Sequence, residues 1–73
     1  MPPRDPRKTY IWVSTRLRER VEAGEWLPGE KLPDLRTIAE EYGVSLATAA
    51  RAAQVLDEAG LVQVIPHYGV FRK

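Results

Sequence analysis

The sequence predicts an α+β fold that is mainly α, three helices followed by a C-terminal β-hairpin, and three observations carry that prediction. Apolar residues recur at helical spacing in three stretches. Each stretch opens on a residue suited to helix capping (Thr9, Asp34, Ser45) and closes at a glycine (Gly24, Gly43, Gly60). After Gly60 the composition switches to two β-rich segments around Pro-His-Tyr-Gly.

Residues 33–60, PDLRTIAEEYGVSLATAARAAQVLDEAG, form the central unit. Pro33 keeps the chain extended, and the Asp34 carboxylate takes orphan amides of a first turn, so a helix starts at Leu35. Leu35, Ile38, Ala39 and Tyr42 make one apolar stripe at i, i+3, i+4 and i+7. Gly43 supplies the positive φ that ends this helix, Val44 plugs the corner, and Ser45 caps the next helix. From Leu46 onward, Ala49, Ala52, Ala53 and Leu56 repeat at helical spacing until Gly60. Small Ala39 and Ala49 let the two helices cross closely, as a helix-turn-helix requires. The opposite face of the second helix, made of Leu46, Ala47, Thr48, Ala50, Arg51 and Gln54, is left exposed as a reading head for a DNA major groove.

The remaining segments extend this unit. Residues 1–8 are Pro-rich and charged and read as a flexible arm, with residues 9–73 as the domain. Thr9 caps a helix running to Ala23, with Tyr10, Val13, Leu17 and Val21 buried and Arg16, Glu19, Arg20 and Glu22 on the wet side. Ile11 and Trp12 lie off the stripe, at the edge of the core. In residues 25–33, EWLPGEKLP, Trp26 and Leu27 anchor inward, Pro28-Gly29 makes a type II turn, and Lys31-Leu32 is extended enough for an edge strand. Segments 61–65 and 70–73 pair as a hairpin. Helix, short strand, helix, turn, helix and hairpin describe a winged helix-turn-helix whose hairpin tip is the wing.

Composition excludes several classes. A chain of 73 residues forms one domain that buries about 60% of its unfolded surface. It has no cysteine and one histidine, so no disulfide, thiolate-metal site or multi-histidine site is possible, and no metal or cofactor is expected. No nucleophile–base pair, paired carboxylates or phosphate loop can be assembled, so the chain is not read as an enzyme. No apolar run approaches the length of a membrane span and the opening Met-Pro-Pro-Arg is not followed by an apolar h-region, so the expected compartment is the cytoplasm. Net charge is +1, divided as +2 over residues 1–8, −2 over 9–41 and +1 over 42–73. A near-neutral chain binds nucleic acid when its charge is sorted by face, with the clustered glutamates turned away from the duplex.

Across residues 10–71 the sequence resembles the N-terminal DNA-binding domain of GntR-family bacterial transcriptional regulators. The resemblance is carried by Gly24, the PGEKLP segment, Arg36, AEEYGVS at 39–45, Thr48, Ala52, LDEAGLV at 56–62 and Gly69-Val70-Phe71. It implies a repressor or activator that binds a palindromic operator as a dimer, usually with a ligand-binding domain after the wing. The family's DNA contacts would fall on Arg36, Thr48 and the wing tip at His67 and Tyr68. The sequence departs from the pattern at Leu46 and Ala50, where the family carries bases, and at the His67-Tyr68 tip. Leu46, Ala47 and Ala50 would then meet thymine methyls, leaving hydrogen bonding to Thr48, Arg51 and Gln54. With Ser45 at the helix start and Arg72 on phosphate, the candidate DNA-binding set is complete.

Each of these residues has a plainer alternative. Arg36 can pair with Glu40, Arg51 with Glu58, and Tyr68 can pack on its own hairpin. The alternative function is a protein-docking winged helix, or a small architectural DNA binder of the excisionase kind. With no spare apolar face at heptad length, the isolated chain is expected to be a monomer that pairs on DNA or through a C-terminal domain. Whether it is excised from a longer regulator or stands alone is left open by the sequence.

Overall fold

The computed structural model describes residues 8–73. Three helices come first, α1 (Tyr10–Glu22), α2 (Leu35–Tyr42) and α3 (Leu46–Glu58), followed by strands β1 (Val62–Ile65) and β2 (Gly69–Arg72). Residues 1–7 of the expected arm lie outside the described residues. Lys8, its last residue, packs over the Trp12 ring with Nζ 5.6 Å from the centroid.

Local chemistry sets each boundary. Thr9, Asp34 and Ser45 accept hydrogen bonds from the third amide of their helices, those of Trp12, Thr37 and Thr48. Gly43, at φ 67°, closes α2: its own amide reaches Glu40 O and the Val44 amide reaches Ala39 O at 2.9 Å. That paired closure satisfies the last carbonyls of α2 and turns the chain directly into the Ser45 cap. The Leu61 amide likewise closes on Leu56 O, at 3.0 Å, which holds Leu61 against the end of α3. The first strand therefore begins at Val62, one residue later than the β-rich run implies, and β2 begins one residue earlier, at Gly69.

β1 and β2 are antiparallel, with Val62 opposite Arg72 and Ile65 opposite Gly69. The expected edge strand is present on the free side of β2, where Lys31 bridges to Phe71. The Leu32 amide donates to Val70 O (2.8 Å) and the Arg72 amide to Glu30 O (2.9 Å). Pro28-Gly29 forms its turn, closed by the Glu30 amide on Leu27 O at 2.9 Å with Gly29 at φ 88°. This turn corrects one expectation, because it projects Leu27 into solvent at 65% exposure and leaves only Trp26 and Leu32 of the connector in the core. Ile11 is also exposed, at 59%, whereas Trp12 packs edge-on against Tyr42 with ring centroids 5.7 Å apart.

The core joins Val13, Leu17 and Val21 of α1 to Ile38 and Ala39 of α2, to Ala49, Ala52, Ala53 and Leu56 of α3, and to Val62 and Val70 of the hairpin. Ser14 is buried with them, its Oγ donating to Ile11 O at 2.9 Å, so its hydroxyl is satisfied within the helix. Arg20 departs from its expected place on the wet face. Its guanidinium grips Glu25 (Nε–Oε2 2.7 Å), Glu41 (2.9 Å) and the Tyr42 hydroxyl (3.0 Å), and lies 4.9 Å from the Trp26 ring centroid. One side chain thus ties the end of α1 to the connector and to the end of α2.

Leu17 is 1% exposed at the centre of α1, so Leu17→Ala should lower stability by about 2–5 kcal/mol in chemical denaturation. The Arg20 guanidinium holds the Glu25 carboxyl below its ordinary range. A carboxylate depressed in the folded state stabilises fully above the ordinary glutamate range, and that stabilisation is lost as pH falls through the folded value. Thermal midpoints followed from about pH 7 to about pH 3 should show Glu25→Gln less stable at neutral pH and with a shallower acid decline than the wild type.

Candidate nucleic-acid interface

One face of α3 has no partner within the fold. Ala49, Ala52, Ala53 and Leu56 are buried, while Leu46, Ala47, Arg51 and Gln54 are exposed and Ser45, Thr48 and Ala50 are half-buried. The face is small-residued and carries one cation.

Its polar groups are held in place. Ser45 Oγ accepts from the Thr48 amide (3.1 Å) and donates to Thr48 Oγ1 (2.9 Å). The Thr48 hydroxyl therefore keeps its own proton for an external acceptor. Arg51 makes no ion pair with Glu58; exposed on one side, its guanidinium carbon sits 4.2 Å from the centroid of the Tyr10 ring. Stacking on Tyr10 anchors the base at the flank of the reading face, beside the start of α1.

Arg36, the second residue of α2, is exposed and forms no ion pair with Glu40 or any other described residue. Next to it the Thr37 amide, with Thr37's hydroxyl and the nearby Arg36 and Lys31 charges, holds the Asp34 carboxyl below its usual range. The wing loop, Pro66-His67-Tyr68, is closed by the Tyr68 amide on Ile65 O at 3.0 Å. His67 takes the left-handed conformation at φ 68°, a strained place for a side chain that histidine tolerates better than most. Tyr68 is 71% exposed and does not pack on its hairpin.

Arg72 is half-buried on the hairpin. It pairs with Val62 and alternates with Phe71, so the strand period turns it to the same face as Val70, under the hairpin, and its Nε is buried without a partner. Two contributors were missed by the sequence reading. Asp57 Oδ2 accepts from the Val64 amide at 2.7 Å and pins β1 to the end of α3. Lys31 lies with Leu46, His67 and Tyr68 around a groove of about 440 Å³ between the helix starts and the wing. Neither role is signalled locally, because Asp57 and Lys31 act on partners distant along the chain.

Charge is sorted. Glu19, Glu22, Glu25 and Glu41 are paired with Arg16, Arg18 and Arg20 on the α1 side of the molecule. Lys31, Arg36 and Arg51, which surround the α3 face, have no ion-pair partner among the described residues. Those residues also contain no cluster suited to a metal ion and no helix long and apolar enough to cross a membrane.

A helix-turn-helix with an unpartnered second helix and an adjoining hairpin defines a winged helix-turn-helix domain. Residues 9–71 match the family of bacterial regulatory proteins described as the gntR family, and the chain belongs to it. It is 40% identical over 62 residues to the uncharacterized HTH-type transcriptional regulator YjiR of Escherichia coli K12, covering 85% of this chain and 13% of that protein. It is 38% identical over 66 residues to the Exu regulon transcriptional regulator of the same organism, covering 90% and 26%. The chain thus spans about a quarter or less of the length of these relatives. The solved DNA-binding domain of AraR in complex with operator ORE1 has the same fold, with a TM-score of 0.83 at 26% identity, covering 88% of this chain and 78% of that one.

Asp57→Ala would leave the Val64 amide without its acceptor, and should cost about 1–3 kcal/mol in stability. Amide hydrogen exchange should rise first at Val64 if the pin acts locally.

Proposed function

We propose that this domain binds double-stranded DNA sequence-specifically in transcription regulation, with α3 entering the major groove and the wing meeting the adjoining backbone. The observation that carries the reading is the unpartnered face of α3, bordered by the unpaired cations Lys31, Arg36 and Arg51 while the glutamates are paired elsewhere. The likeness to an operator-bound domain supports it. Arg36 positions the domain on phosphate or a base edge. Thr48, through its free hydroxyl proton, and Gln54 read bases, and Leu46, Ala47 and Ala50 contact thymine methyls. Ser45 acts through Thr48, and His67 and Tyr68 meet the backbone from the wing. A single module with so few free cations binds one half-site at about micromolar strength or weaker near physiological salt, and two copies pair on a palindromic operator in the cytoplasm.

Selection of bound sites from random duplexes tests the reading, with an enriched palindrome as the expected product. Arg36→Ala should weaken binding by about 1–3 kcal/mol with an unchanged thermal midpoint. Thr48→Ala and Gln54→Ala should relax base preference instead. Affinity that hardly responds to salt would favour protein docking on the apolar α3 face. Hydrodynamic measurement without DNA should return a monomer.

A further inference from the structure

Lys31 is the cross-strand partner of Phe71, so its side chain shares the outer face of the sheet with Phe71 and, diagonally, with Gly69. There the stem crosses the glycine. A Cβ built at Gly69 would lie 2.7 Å from Lys31 Cε, and its Nζ would be 3.5 Å away. A Cβ there would displace the flexible stem from that path, and at φ 126° only glycine adopts the backbone readily. The crossing carries the ammonium from the sheet edge to the groove bordered by Leu46, the first residue of α3, and by His67 and Tyr68 of the wing tip.

The groove is mostly apolar, and its one carboxylate is already engaged. Asp34 accepts the Thr37 amide at 2.8 Å and sits at the N-terminus of α2, where the helix dipole offsets its charge. Lys31 forms no ion pair with any described residue. An unpaired ammonium between a reading helix and a wing tip faces whatever passes between them. With α3 in a major groove and the wing beside it, that object is the sugar–phosphate ridge separating the two grooves.

We infer that Lys31 binds a backbone phosphate of duplex DNA in the gap between α3 and the wing, and that Gly69 is the positioning residue that lets it reach there. The inference rests on the DNA-binding reading above. The contact anchors the wing without reading a base, so Lys31 sets affinity and register for every sequence alike.

Fluorescence anisotropy of the full chain on mixed-sequence duplexes of about two helical turns, followed across salt, is the test. Lys31→Met keeps the stem on Gly69 and removes only the charge. It should bind every duplex about three- to tenfold more weakly, with the log–log salt slope shallower by about 1 and the thermal midpoint unchanged. Lys31→Arg should restore both affinity and slope. Gly69→Ala should weaken the wild type more than it weakens the Lys31→Met background. Wild-type affinity and slope in Lys31→Met overturn the inference while leaving the DNA reading in place, and a loss confined to one site sequence overturns it in favour of a base contact. A wild-type chain that binds no duplex at low salt overturns the DNA reading and this inference together.

Discussion

The contact between the alanine face of α3 and the elements around it sets the position of everything else, because Ala49, Ala52 and Ala53 are at most 1% exposed and end at Cβ. Short side chains let helix backbones approach, so α1 and α2 both pack closely on α3. Larger residues on that face would push the helices apart and tilt the turn between α2 and α3. The bulk of the core is supplied from the other side of each contact, by Val13, Leu17, Ile38, Val62 and Val70. As a result α3 is buried along one side and bare along the other.

Polar pins complete what the apolar core leaves loose. The Arg20 guanidinium joins three segments through Glu25, Glu41 and Tyr42, and it also lies against the Trp26 ring. An exposed ion pair contributes little by itself, but a shared cation with several partners fixes relative orientation. Asp57 serves the hairpin in the same way, since a two-stranded ribbon is marginal alone and gains from the Lys31-Leu32 strand and from the pin to α3. These pins also separate charge, drawing glutamates to the α1 side and leaving cations around the α3 face.

The helices were legible because each carries its own instructions. Capping residues, apolar period and closing glycine all agree, and the helix starts at Tyr10, Leu35 and Leu46 follow from them. Strand limits were less legible, since Leu61 is β-prone yet its amide is claimed by the end of α3. Leu27 misled for a similar reason: hydrophobicity favours burial, but the turn at Pro28-Gly29 decides which way its side chain points. At the interface, the α3 face and the wing tip could be read from spacing. The stacking of Arg51 on Tyr10 and the crossing of Lys31 over Gly69 could not.

The elements, their order, the family and the bare side of α3 could be read along the chain, because capping, periodicity and turn chemistry act between residues close in sequence. What each long side chain does depended instead on the folded arrangement. Arg20 turned from a wet-face residue into a hub, Arg72 turned under the hairpin, and Lys31 reached the groove. Arginine and lysine stems span several ångströms and choose among partners brought together by the fold, so their roles depend on register and crossing geometry that no local pattern encodes.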